Sequence, residues 1–168
     1  MAVLSVEAIR ALFPSMQRTH NGLPVAYLDG PGGTQVPASV ADAVRDYLLH
    51  HNANTHWAYP TSEETDAMLA SVRAALGDFL GAAPDEIAFG ANMTTLTFHL
   101  SRALARAWQP GDEVIVTELD HHANVDPWRQ VARDAGLVVR TVPFDVTTGE
   151  LQWAALEAAF TSRTRLLA

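Results

Sequence analysis

The sequence predicts an α/β fold on a parallel sheet flanked by helices, and three observations carry the prediction. Short apolar runs near residues 87–89, 114–116, 137–142 and 165–168 have the length and β-branching of strands. Segments with helical spacing of apolar residues separate them, so the chain reads strand, helix, strand, helix, strand. That rhythm calls for right-handed crossovers between parallel strands rather than hairpins. Neither an internal repeat nor a low-complexity stretch is present.

Taken in order, Val6, Ile9, Leu12 and Phe13 fall at helical spacing until Pro14 breaks the pattern, which predicts a short arm helix. After a polar link at 20–22, residues 25–28 read as a brief strand. Residues 29–34, with three glycines and a proline, form a tight loop. It is either a plain turn or a place where backbone closely approaches a ligand, and it is neither a Walker loop nor a G-x-G-x-x-G fingerprint. The helix after Pro37 carries Val40, Ala43, Val44, Tyr47 and Leu48 on one stripe, with His50 and His51 at its end, where their charge meets the helix dipole. Residues 52–61 lack periodicity and are expected to form an exposed loop able to reach a neighbour. Thr61 and Glu64 fit a capping box, and Met68, Val72, Ala75, Leu76 and Phe79 follow in helical register. Beyond the strand at 87–89, Leu96, Leu100, Ala103, Leu104 and Ala107 mark a helix. Asp126 and Pro127 read as a helix start, Gly136 as its stop, residues 145–150 as a polar turn and 153–160 as a further helix. The run at 165–168 opens another strand, and a chain that stops in a buried strand reads as the front part of a longer protein.

With 168 residues the chain suits one domain, or one domain with an arm. Its eleven arginines and no lysine stand against nineteen acids, for a net charge of -8. Such a balance disfavours nonspecific nucleic-acid binding. The absence of cysteine removes disulfides, thiolate metal sites and cysteine nucleophiles from these residues. Lacking lysine, the chain cannot by itself complete a Schiff-base or P-loop mechanism. No signal peptide or membrane-length apolar run is seen, so a cytoplasmic location with no membrane partner is expected.

Two places gather chemistry. Residues 113–128 set Asp120, His121, His122 and Asn124 just beyond the carboxyl end of a strand, where open α/β sheets bind ligands. Residues 90–95, Gly-Ala-Asn-Met-Thr-Thr, join a strand to a helix N-terminus, whose N–H groups and dipole suit an anion. Thr94 and Thr95 add hydroxyl donors there, or one of them caps the helix.

With Tyr27-Leu28-Asp29, the turn at 90–95, and Asp120-His121-His122-Ala123-Asn124 followed by Pro127-Trp128, the chain resembles the class V aminotransferase family of pyridoxal 5'-phosphate (PLP) enzymes, and most of all its cysteine desulfurase-like branch. The resemblance runs from about Val25 to Ala168. It implies part of a fold type I large domain at 25–168 and an arm contributed to the small domain by 1–24. It also implies PLP as cofactor, an amino acid as substrate and a two-fold homodimer. His121 matches the histidine that stacks on the cofactor ring and moves a substrate proton. Thr94, with backbone N–H groups around Asn92 and Met93, matches the phosphate site. His122 is expected to be peripheral, and Asp120 and Asn124 to order the turn. The chain departs from the pattern at Asn92-Met93-Thr94-Thr95, where the family usually has Gly-Thr-Thr-Glu. It departs again at Asn54-Thr55-His56, where the family has His-Arg-Gly, so the substrate is left open. The family's lysine, its aspartate facing the pyridine nitrogen and its cysteine would lie beyond Ala168, and these 168 residues alone are expected to be inactive.

Two alternatives stand beside this expectation. One is a non-catalytic α/β module that binds phosphate or a cofactor at the turn before Leu96. The other, a metal site on Asp120, His121 and His122, ranks lower because adjacent turn histidines rarely face one ion without further ligands. No metal is therefore assigned.

Overall fold

The computed structural model describes residues 4–168, which form two compact units, one through Ile87 and one from Ala88 to Ala168. No described helix is long and apolar enough to cross a membrane.

The first unit opens with α1 (Val6–Ala11), capped by the Ser5 hydroxyl, which accepts from the Ala8 N–H at 3.2 Å. A 3-10 turn at Pro14–Gln17 leads to an unexpected hairpin, β1 (Thr19–His20) and β2 (Leu23–Pro24). Its two turn residues, Asn21 and Gly22, sit at φ 51° and 78°. Positive φ at both central positions is what a type I′ hairpin requires, and Asn-Gly is its strongest sequence signal. The strand expected at 25–28 does not form. Pairing ends where the Val25 N–H donates to the Arg18 carbonyl, and Leu28 is 93% exposed. The glycine loop that follows closes on itself, Gly32 N–H on the Asp29 carboxylate and Gly33 N–H on the Gly30 carbonyl, which makes it a turn.

Helix α2 (Ala38–Asp46) continues into a π-helical turn at Tyr47–His51. A loop then leads to α3 (Pro60–Leu80), stopped by Gly81 in the left-handed region. The expected capping box at Thr61 and Glu64 is not made. Tyr59 is the N-cap and Pro60 fills the first helical position, so Thr61 already lies inside the helix. Glu64 turns instead to His51, while the loop is fastened by Trp57 N–H on the Ser62 hydroxyl and His56 N–H on Asp66.

In the second unit α4 (Met93–Ala105) precedes a β-α-β-α-β run: β3 (Glu113–Thr117), α5 (His122–Ala135), β4 (Val138–Val142), α6 (Trp153–Ala159) and β5 (Thr164–Leu167). The three strands are parallel in the order β4-β3-β5. Central β3 is buried on both faces, with Val114, Ile115 and Val116 at 0% exposure, as an uninterrupted apolar run demands. Val114 and Val116 pack with Val125, Trp128 and Val131 of α5, and Leu104 of α4 closes against the same cluster. The strand expected at 87–89 does not form: these residues pair with no strand among the described residues.

Helix α5 corrects a second expectation. Asp126 and Pro127 do not start it; His121 is the N-cap and Pro127 lies inside, fully buried. An interior proline removes one backbone bond and crowds the preceding turn. Here it falls in the second turn, after a tight first turn in which Asn124 N–H bonds the His121 carbonyl at 2.8 Å.

Candidate functional site

The second unit concentrates polar groups at the carboxyl end of its sheet. Since β3 continues through α5 to β4 on one side, and β4 through α6 to β5 on the other, the crevice beyond β3 is a topological switch point. Helices α4 and α5 pack against each other, and their C-terminal ends meet the segment 106–112, where Gly111 N–H bonds the Gly136 carbonyl. Both N-termini therefore point to the opposite end of the unit, the end where β3 delivers its loop.

At the N-terminus of α4 the cap is Asn92, neither of the threonines: its Oδ1 accepts from the Thr95 N–H at 2.9 Å. The Leu96 N–H bonds the Asn92 carbonyl, and the N–H groups of Met93 and Thr94 have no acceptor among the described residues. Thr94 is exposed, and Met93 is half exposed at 52%. The approach is tight, since a Cβ on Gly90 would stand 2.6 Å from the Leu96 side chain. Phe89, Met93, Leu96 and Leu100 line an open cavity of about 570 Å³ beside this turn.

At the N-terminus of α5, His121 caps through its ring: Nδ1 accepts from the Ala123 N–H at 3.1 Å. In neutral imidazole this fixes the proton on Nε2, which faces away from the backbone. The turn is held by a chain of side chains. The Thr117 hydroxyl exchanges hydrogen bonds with Asp120, Asn124 Nδ2 donates to Asp120 at 3.3 Å, and the indole N–H of buried Trp128 reaches Asn124 at 3.5 Å. Asp120 and Asn124 thus order the turn, as expected. His122 is exposed and stands 3.9 Å from Asp126, too far for a hydrogen bond. It is His122, not His121, that lines a cavity of about 230 Å³ with Thr117, Asp120 and Arg129.

At the other end of β3 two buried carboxylates fasten the strands, and sequence reasoning passed over both. Glu113 accepts from Arg140 Nε at 2.8 Å and Nη2 at 2.6 Å, and from the Thr161 hydroxyl at 2.7 Å. The Arg140 guanidinium, then Thr161, holds its carboxyl at about 2. Asp112 takes a two-point contact from Arg165 and the Gln109 N–H, and its carboxyl is likewise lowered, first by Arg165. No spacing rule flags these pairs, because their members lie 27 to 53 residues apart.

The sequence over 26–168 matches the aminotransferase class-V family model. A cysteine desulfurase of Dickeya dadantii is 37% identical over 97% of the chain, and a probable cysteine desulfurase of Vibrio cholerae is 35% identical over 99%. The chain spans only 40% and 42% of those relatives. The structure superposes on an apo cysteine desulfurase from Thermococcus onnurineus NA1 with a TM-score of 0.85 and 25% identity, covering 99% of this chain and 40% of that one. The architecture is accordingly the α/β large-domain fold of PLP-dependent cysteine desulfurases. A family match over this stretch and relatives of this similarity establish that the chain belongs to the aminotransferase class-V family.

Proposed function

We propose that this chain supplies the phosphate cradle and the ring-facing histidine of a PLP-dependent, cysteine desulfurase-like enzyme acting on an amino acid. The observation that carries the proposal is the pair of helix N-termini at one end of the second unit, one offering unused N–H donors, the other presenting an imidazole. The residues fit the group. Met93 N–H, Thr94 N–H and the exposed Thr94 hydroxyl would hold a phosphate dianion at the positive end of the α4 dipole. His121 offers a flat ring for stacking. When bound, PLP supplies an electron sink for cleavage of a bond at the substrate Cα. His121 keeps its proton on Nε2, so its outward nitrogen can donate a hydrogen bond to substrate, and to take up a substrate proton there the ring would first release the Ala123 N–H and carry its proton on Nδ1. Thr117, Asp120 and Asn124 hold the turn that aims this ring.

With no lysine in its sequence the chain cannot anchor the cofactor covalently, so the 168 residues bind it without turnover. In the working enzyme residues 1–24 serve as an arm of the small domain and 25–168 as part of the large domain, in a homodimer. The lack of lysine also favours a second reading, a binding module without chemistry.

The test is titration of the purified protein with PLP and with pyridoxal, followed by absorbance and dialysis. PLP should bind reversibly, and Thr94→Ala should weaken it about tenfold, as loss of one hydrogen bond to a charged group implies. Pyridoxal should bind both proteins alike. Equal PLP affinity in wild type and Thr94→Ala would remove the phosphate assignment.

A further inference from the structure

The first unit carries a second constellation that the proposed cofactor site does not use. Asp46 ends α2, and His50 and His51 end the π-helical turn that follows. The His50 Nδ1 lies 2.8 Å from Asp46 Oδ1, and the His51 Nε2 lies 3.4 Å from Asp46 Oδ2. The other nitrogen of His51, Nδ1, is 2.5 Å from Glu64 Oε2 on α3. In a regular α-helix only the i+4 residue would stack over Asp46; the i+5 residue would point about 140° around the axis. The π-turn, with its i to i+5 repeat, brings His51 round so that both rings converge on one carboxylate. Thr65 locks that turn, its hydroxyl meeting Tyr47 Oη at 3.2 Å and the His51 carbonyl at 3.3 Å.

We propose that Asp46, His50 and His51, oriented by Glu64, bind a divalent d-block cation of the zinc type. One ligand atom from each of the three lies within 4.8 Å of the others. Tetrahedral zinc with bonds of about 2.0–2.1 Å spaces its ligand atoms by roughly 3.3 Å, so the 2.8 and 3.4 Å contacts need little adjustment. Two imidazoles and a carboxylate are a donor set for such ions, with water completing the shell. Glu64 takes the role of the outer carboxylate that accepts the N–H of a ligating histidine and fixes its tautomer. The competing occupant of the Asp46–His51 contact is a proton on His51 Nε2. A bound ion would tie the end of α2 to α3 and pin the loop between them, which carries His56 and Trp57.

The experiment is calorimetric titration of chelator-stripped protein with zinc chloride. Wild type should take up one equivalent, Asp46→Asn and His50→Ala should each lose at least tenfold in affinity, and Glu64→Gln about 10- to 100-fold. His99→Ala, on α4, should bind as wild type does. Asp46 and His50 have side chains 60% and 63% exposed, so their replacement should leave the fold intact, which circular dichroism of each variant checks. Uptake unchanged in Asp46→Asn and His50→Ala, or no uptake by wild type at millimolar zinc, would overturn the site.

Discussion

Replacing Asn92 by alanine separates the two jobs of the turn before α4. Its side-chain oxygen is engaged in capping, accepting from the Thr95 N–H at 2.9 Å, while the backbone at φ -169° and ψ 171° stays extended. Loss of an Asn cap costs about 1 kcal/mol. For a unit the size of residues 88–168 that corresponds to a fall in Tm of about 4–8 °C. Asn92→Ser, which can still cap, should recover most of it. The anion site should respond differently. The donors assigned to phosphate are the backbone N–H groups of Met93 and Thr94 and the Thr94 hydroxyl, and uncapping frees the Thr95 N–H rather than removing a donor, so PLP affinity should stay within about twofold of wild type or rise. Thermal unfolding followed by circular dichroism, with PLP titration at 15 °C where the helix is intact in both proteins, measures both. Unchanged Tm in Asn92→Ala would refute the cap. A large loss of PLP affinity in a variant that remains folded would show that the Asn92 side chain itself holds the ligand.

Further outcomes concern the frame around the site. The Glu113 carboxyl is held at about 2, against an ordinary value near 4.5, by Arg140 and Thr161. A depressed folded value means that its contribution is complete above about pH 4.5 and is lost as pH falls from there through 2. Urea midpoints should therefore drop more between pH 5 and 2.5 in wild type than in Glu113→Gln; parallel curves would refute the clamp. Ile115→Ala empties a fully buried position of the central strand and should cost roughly 2–5 kcal/mol in urea unfolding, enough to unfold a marginal unit. A loss below about 1 kcal/mol would mean that Ile115 does not carry the sheet. The tenfold loss of PLP affinity in Thr94→Ala and the zinc titration of the Asp46 cluster complete the set.

Particular residues show where sequence reasoning stopped. The β3-α5-β4-α6-β5 order was legible because each element is local: a Val-Ile-Val run, helical spacing, and Gly136 as a stop with φ 67°. The Asn21-Gly22 hairpin is equally local, and its turn signal is among the strongest, although the strands it joins are only two residues each and read as a polar link. At Thr61 the capping box lost to Pro60, which holds the first helical position. At Pro127 a start signal was outweighed by burial: the residue is wedged into the core beside Trp128, and the helix begins at His122 instead. Residues 87–89 have strand composition without a strand, because a ladder needs a partner and composition does not name one.

The sequence by itself determined the α/β rhythm, the absence of any internal Schiff-base lysine, and the two polar turns to which the cofactor site is proposed, since these rest on residue identity and on spacings of a few positions. Only the tertiary structure decided that Asn92 caps α4, with the Met93 and Thr94 donors unused among the described residues, that His121 turns Nδ1 to its own helix and Nε2 outward, and that His50 and His51 meet one carboxylate through a π-turn. It also decided that Glu113 and Arg140 meet across two strands. Each of these is a matter of direction rather than identity. A side chain's direction is set by the backbone path and by partners far along the chain, and no local pattern encodes either.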